Sequence, residues 1–136
     1  MARAASRTRP RDRSDARTRL EHARKFLEVA KLVAHEDTNP ASRSVAAAVA
    51  VLAGIAASDA SCCAVLGLRS RGQDHQEAAD LLEQVTGGKD AAKALRELIS
   101  LKDTAHYGLT SVSQKELTRA IRRAAVVVDF AGQTLR

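Results

Sequence analysis

The sequence predicts an all-α fold, a bundle of four to five helices that run up and down. Apolar residues make up 45% of the 136 residues, and they recur mostly at helical spacing. The chain contains two Pro and seven Gly, and it has few consecutive β-branched residues, so no series of short strands is indicated. One Tyr, two Phe and no Trp leave Leu, Val, Ile and Ala to build the core. The length fits a single domain.

The first helix is predicted over 15–36, where apolar residues form one stripe. Asn39 followed by Pro40 is typical of a helix start, because the Asn side chain can accept a backbone N–H and proline suits the first turn. The second helix is expected from there to about residue 68, and it is the most apolar part of the chain.

The apolar stretch at 45–68 is long enough to raise the question of a membrane span. Its many Ala residues and Asp59 in its middle argue against that interpretation, so we expect the central helix of a cytoplasmic protein. A carboxylate on a buried helix needs a partner or an opening. Asp59 is therefore either a satisfied structural residue or part of a binding site. The adjacent Cys62 and Cys63 are expected to be reduced, buried and free of metal.

A third, short helix is predicted over 74–86. Asp74 and Glu77 have the spacing of a capping box, in which each side chain accepts a backbone N–H from the other residue. Gly87 and Gly88 are expected to stop this helix.

The fourth helix is predicted over 89–107, with Gly108 as its C-terminal glycine. Ser113 and Glu116 give a second capping-box pattern, which opens a last helix over 113–135.

The last helix is apolar on more than one side. Val126, Val127 and Phe130 lie beyond its main stripe, which indicates a neighbour on a second face. A homodimer is the simplest source of that neighbour.

The formal charge of +6 is concentrated at the N-terminal end. Residues 1–19 hold seven Arg against two Asp, a net charge of +5, so the other 117 residues carry +1. Residues 1–14 lack apolar periodicity and are predicted to be a disordered basic arm, which precedes a single helical domain at 15–136. The arm either contacts phosphates or is a solubilising tail.

The densest group of ionisable side chains lies at the end of the fourth helix. Lys102 is one helical turn before His106, and Asp103 is one turn before Tyr107, so two i,i+4 pairs share this end. The group is interpreted as a binding site, a catalytic site, or a helix end stabilised by local pairs.

Three stretches, in this order, resemble the HEPN family of small helical bundles. They are the long Ala-rich helix with Asp59, the segment from Arg71 to His75 that opens the short helix, and the run Leu-Lys-Asp-Thr-Ala-His-Tyr-Gly at 101–108. The resemblance extends over about residues 16–135. The family includes partners of minimal nucleotidyltransferases and metal-independent ribonucleases.

Nuclease members of that family carry an Arg, four to six residues, and then a His. Here Lys102 stands four positions before His106, and the nearest preceding Arg is Arg96. Lysine offers a point charge but not the bidentate fork of arginine. Arg69 and His75 have the written spacing, but they lie across a turn, where a catalytic pair is not expected.

The resemblance implies a non-catalytic module that binds a nucleotide, RNA or a partner such as a nucleotidyltransferase-like protein, without a cofactor, a metal or a membrane. The first alternative is a metal-independent endoribonuclease with His106 and Lys102 as catalytic residues. The second is a scaffold or toxin–antitoxin module with no nucleic-acid role. The remaining candidate binding residues are Asp59, Arg71, His75, Asp103 and Tyr107.

Overall fold

A computed structural model describes residues 8–10, 13–36, 38–70, 75–107 and 111–136, without the side chains of 8–10, 69–70 and 103–107. The prediction of an all-α up-and-down bundle is confirmed. The helices are α1 Arg13–Glu36, α2 Pro40–Leu66, α3 His75–Glu83, α4 Lys89–Tyr107 and α5 Gln114–Thr134.

Two strands of three residues each accompany the helices. β1, Thr8–Pro10, pairs antiparallel with β2, Leu68–Ser70, so that residue 9 lies opposite residue 69. β1 falls within the segment that was expected to be disordered, and it meets the chain just after α2. The pairing is too short to form a layer of its own, and the core lies between the helices.

The predicted start of α2 is confirmed at its first turn. The Asn39 side chain accepts a hydrogen bond from the backbone N–H of Ala41 at 2.8 Å, and Pro40 occupies the first turn. At the other end, Gly67 adopts a left-handed conformation, φ 68°, which a residue with a Cβ rarely adopts.

The predicted start of α5 is confirmed as well. The backbone N–H of Ser113 donates to Glu116 at 2.9 Å, and the N–H of Glu116 donates to the Ser113 hydroxyl at 3.1 Å. Two further predicted helix-end signals, Asp74 and Gly108, lie outside the described residues.

Helix α2 is the central helix, and it packs against the other four. Its buried apolar side chains are mostly Ala, which allows neighbouring helices to approach closely. The approach is tightest at Gly54, where a Cβ would lie 2.5 Å from Leu98 Cδ1 of α4. The buried alanines of α2 are Ala46, Ala47, Ala50, Ala53, Ala56, Ala57 and Ala60.

Among the described residues, α2 is also the one helix that is long and apolar enough to cross a membrane by length and composition. Of its most apolar 18-residue window, 67% is buried inside the bundle. A core helix of a soluble protein has these same properties, so the finding is weak evidence for a span.

The second apolar side of α5 is covered within the chain. Val127 and Val128 are buried, and the ring of Phe130 lies close to Gly87, in the turn between α3 and α4. Val126 is 42% exposed. The neighbour that this side of α5 requires is therefore largely intramolecular, and the homodimer stays a prediction.

Candidate functional site: the end of α4 and the α4–α5 groove

Helix α4 continues through the ionisable run to Tyr107, as predicted. Lys102 is half-buried. Asp103, His106 and Tyr107 lie on the last turn and a half of the helix, but their side chains are outside the described set. The helical spacing on which the two i,i+4 pairs depend is therefore present in the backbone.

Asp59 lies at a different level of the bundle from Lys102. Leu98 of α4 packs over Gly54 of α2, while Leu101 packs against a cluster that contains Ala47. α4 therefore runs antiparallel to α2, and its C-terminal end lies toward the start of α2. Asp59 is twelve residues beyond Ala47, about 18 Å along the helix at 1.5 Å per residue. The structure does not bring Asp59 to the end of α4.

Asp59 is instead paired with a residue of α1. Its Oδ2 accepts hydrogen bonds from Arg19 Nη2 at 2.9 Å and Arg19 Nε at 3.2 Å. The side chain of Asp59 is 7% exposed, and that of Arg19 is 25% exposed. A carboxylate this deeply buried is stable as an anion when a cation faces it. The sequence analysis required a partner for Asp59 but did not identify Arg19.

The cysteines beside Asp59 are buried and free of a disulfide, as predicted. Burial and, to a smaller extent, the negative charge of Asp59 together raise the pKa of Cys62 to about 12, although a hydrogen bond with Ser58 partly opposes them. The thiolate is the reactive form of cysteine. Cys62 is therefore held as a neutral thiol, and this buried cluster is not a nucleophilic site.

Arg43 binds two irregular chain segments, one before α2 and one before α5, at the end of the bundle where α4 ends. Its Nε donates to the backbone carbonyl of Val112 at 2.9 Å, and its Nη1 donates to the carbonyl of Thr38. Val112 precedes α5, so Arg43 positions the chain that follows the ionisable run. No sequence motif marks Arg43 for this role, because both of its acceptors are backbone atoms in irregular segments.

A groove of about 360 Å³ lies between α4 and α5, and we call it the α4–α5 groove. It reaches Ser100 and Leu101, immediately before Lys102. Five polar and three apolar residues line it. The polar ones are Glu97, Ser100, Glu116, Arg119 and Arg123, and the apolar ones are Leu98, Leu101 and Ala120.

Most charged groups of this groove have partners within the chain. Arg123 Nε donates to Glu97. Hydrogen bonds from the backbone and the hydroxyl of Ser113 lower the pKa of Glu116, and the charge of Arg119 lowers it further. The Arg119 guanidinium itself makes no hydrogen bond or ion pair with any residue that the structure describes. Arg119 is therefore the cation of the groove that is available to a ligand.

Of the two candidate binding residues near the short helix, the structure describes one. His75 is the first residue of α3 and is half-buried, whereas Arg71 lies outside the described residues. Arg96 of α4 donates to Asp80 and Glu83 of α3, both at 2.9 Å, and these hydrogen bonds raise its pKa. Arg96 is thus committed to joining α3 to α4.

The described part of the chain contains no group of three His, Cys, Asp or Glu side chains that could hold a metal ion. No protein-family model matches the chain, and no curated protein sequence matches it.

Proposed function

We propose that this chain is an HEPN-like helical module that binds RNA or a nucleotide at the end of α4 and does not cleave it. The observation that carries the proposal is the position of the α4–α5 groove. It reaches the residues directly before Lys102, and it adds the guanidinium of Arg119 from a different helix. Lys102 and Arg119, which come from separate parts of the sequence, therefore both lie near this end of the bundle.

The groove has the chemistry that one nucleotide requires. Its volume of about 360 Å³ is at the lower end of the range for small-ligand sites, about 300–1,000 Å³. Arg119 can hold a phosphate through two parallel hydrogen bonds. Apolar contact for a base or a sugar comes from Leu98, Leu101 and Ala120. The hydrogen-bonded pair of Glu97 and Arg123 belongs to the polar part of the lining.

The described residues favour binding over cleavage. Metal-independent cleavage of RNA needs a general base and a cation that stabilises the charge on phosphorus. Arg96, the nearest arginine before His106, is bound to Asp80 and Glu83. On α4 this leaves Lys102, and lysine cannot present two parallel donors to a phosphate. The guanidinium of Arg119 comes from α5 and follows His106 in the sequence, so it does not have the Arg-to-His spacing of the nuclease members.

The test is the affinity of the purified chain for labelled single-stranded RNA and for nucleoside monophosphates at low salt. Replacing Arg119 by Gln removes one charge-assisted bidentate contact and should weaken binding by about tenfold or more. Arg122→Gln is the matched control, because Arg122 is an exposed residue of the same helix that does not line the groove. We expect Lys102→Gln to weaken binding and Arg122→Gln to leave the ligand-specific affinity nearly unchanged.

Three results would overturn this proposal. The first is no binding of RNA or nucleotide at low salt. The second is equal affinity for Arg119→Gln, Lys102→Gln and the wild type. The third is RNA cleavage in EDTA that disappears in His106→Ala, which would replace the binding module with the ribonuclease.

A specific observation favours a protein-binding module as the second candidate. Large apolar side chains remain exposed on α1, α2 and α5, at Leu32, Val45, Leu52, Val65 and Val126. Sedimentation of the wild type over a range of concentrations tests the self-associating form of this candidate. Dissociation by Val126→Glu would support the predicted dimer, and a monomer throughout would reject it.

A further inference from the structure

A second groove, of about 340 Å³, lies between α1 and the C-terminal end of α5, and we call it the α1–α5 groove. We infer that it is an anion site that binds a phosphate group through Arg17, Arg24 and Arg136. Gly132 is about two and a half helical turns beyond Arg123, so the two grooves lie on opposite sides of α5. This inference therefore goes beyond the proposed function and does not rest on it.

The first argument is the excess of positive charge. Arg17, Arg24 and Arg136 line the groove together with one acidic side chain, that of Glu21. The guanidinium groups of these three arginines make no hydrogen bond or ion pair with a described residue. Other arginines of the bundle are bound to carboxylates or carbonyls, namely Arg19, Arg43, Arg96 and Arg123. Three guanidinium groups that bind no described residue therefore lie together in one concave place.

The second argument is the position of the Arg24 guanidinium. If Gly132 carried a Cβ, that atom would lie 3.0 Å from Nη2 of Arg24, so the guanidinium lies directly against the helix at this glycine. Glycine near the end of α5 is less favourable for a helix than alanine, and here it provides the room in which the guanidinium rests against the helix. A cation that is already placed loses less conformational entropy when it binds a ligand.

The third argument concerns the chemical class of the ligand. Guanidinium groups bind carboxylates and phosphates through paired N–H donors. Three guanidinium groups in one groove favour phosphate, because it carries more negative charge and more acceptor oxygens than a carboxylate. Leu20 and Leu135 form the apolar part of the lining. The phosphate group can belong to inorganic phosphate, to a nucleotide or to an RNA backbone, and the three sources share the same contact.

A purely structural role for the arginines makes a different prediction. Cations near the C-terminal end of a helix stabilise its dipole without any ligand. In that case Arg24→Gln would lower stability equally in chloride and in phosphate. Phosphate raises the melting temperature of folded proteins in general, because it is excluded from their surface. An anion site predicts that the rise from chloride to phosphate at equal ionic strength is larger in the wild type than in Arg24→Gln.

The experiment uses the full chain labelled with nitrogen-15 and follows the arginine Nε–H signals while inorganic phosphate replaces chloride at constant ionic strength. The Arg17 and Arg24 signals should shift and saturate, and the signal of Arg122 should not. Arg17→Gln and Arg24→Gln should each weaken phosphate binding several-fold, with Arg122→Gln as the control. Gly132→Ala should also weaken it, and because this variant changes no charge, its effect reports the placement of Arg24.

The source of the phosphate group is distinguished by repeating the titration with a nucleoside monophosphate and with a short RNA. Shifts that grow linearly at all arginines would overturn the inference, because they would show that phosphate associates weakly with every exposed cation and not with one site. A full phosphate response in both Arg24→Gln and Gly132→Ala would overturn it as well. If Arg119→Gln abolishes RNA binding but keeps the phosphate response, both sites stand. If the wild type binds no RNA or nucleotide and still responds to phosphate, only the proposed function falls.

Discussion

Arg19 of α1 and Asp59 of α2 form an ion pair in which two guanidinium nitrogens contact the same carboxylate oxygen, at 2.9 and 3.2 Å. The two partners are not equally buried, since the carboxylate is 7% exposed and the guanidinium is 25% exposed. Water can therefore replace the partner of the arginine far more easily than the partner of the aspartate.

This asymmetry predicts that Arg19→Gln destabilises the protein more than Asp59→Asn does. Loss of Arg19 leaves a buried charge without its ion-pair cation, for which we expect a loss of about 2–4 kcal/mol in the free energy of unfolding. Loss of the Asp59 charge leaves a partly hydrated guanidinium, for which we expect about 1–2 kcal/mol. Urea denaturation of both variants measures the difference, and the reverse order would contradict it.

The capping box at the start of α5 predicts a modest and pH-dependent contribution to stability. Ser113→Ala should lower the free energy of unfolding by about 1 kcal/mol, while Ser111→Ala, at an exposed position before the helix, should change it little. The Ser113 hydrogen bonds lower the pKa of Glu116 below its ordinary 4.5. The contribution of Glu116 is thus present above pH 4.5 and is lost as the pH falls through its lowered pKa. Glu116→Ala should remove this part of the acid dependence.

Cys62 predicts a loss of stability in alkali. Its pKa is about 12 in the folded protein and 9.0 when exposed, so the unfolded chain releases its proton first as the pH rises. The contribution of the neutral thiol is fully present below pH 9 and is lost between pH 9 and about 12. Comparison with Cys62→Ala isolates this effect from lysine titration. An identical decline in both proteins from pH 8 to 10.5 would contradict it.

Arg43 predicts a local effect on the segment before α5. Arg43→Met removes hydrogen bonds to the carbonyls of Thr38 and Val112, and it should lower the free energy of unfolding by about 1–3 kcal/mol. Amide exchange at 111–113 should accelerate more than exchange in the middle of α2. Arg43→Lys should lie between the wild type and Arg43→Met, because lysine keeps the charge but cannot reproduce the forked geometry.

The helices were predictable from the sequence because their signals are local. Apolar periodicity and the helix-start patterns at Asn39 and Ser113 involve residues within one or two turns of each other. To predict the Arg19–Asp59 pair, the distances of the two residues from the turn between α1 and α2 must also be compared. In two antiparallel helices joined by a short turn, residues at similar distances from the turn meet, and Arg19 and Asp59 lie 17 residues before Glu36 and 19 residues after Pro40. The sequence analysis did not make this comparison.

The two grooves were not predictable in the same way. No local pattern in the sequence marks Arg119, because Ser100 and Leu101, which lie beside it in the groove, belong to a different helix. Arg136 is distant in sequence from Arg17 and Arg24, and it joins them because α5 packs along α1. The apolar side of α5 needed a neighbour, and periodicity alone could not reveal that the turn at Gly87 supplies it.

The alanine-rich face of α2 determines which substitutions in the core this protein tolerates. A buried alanine has one methyl group to lose, so truncation leaves a small void and costs mainly helix propensity. An added methylene at these fully buried positions has to displace neighbouring side chains, as a Cβ at Gly54 would displace Leu98. Larger residues at positions such as Ala50 or Ala53 should therefore unfold the chain more readily than smaller ones, the opposite of what is usual in a core of leucines.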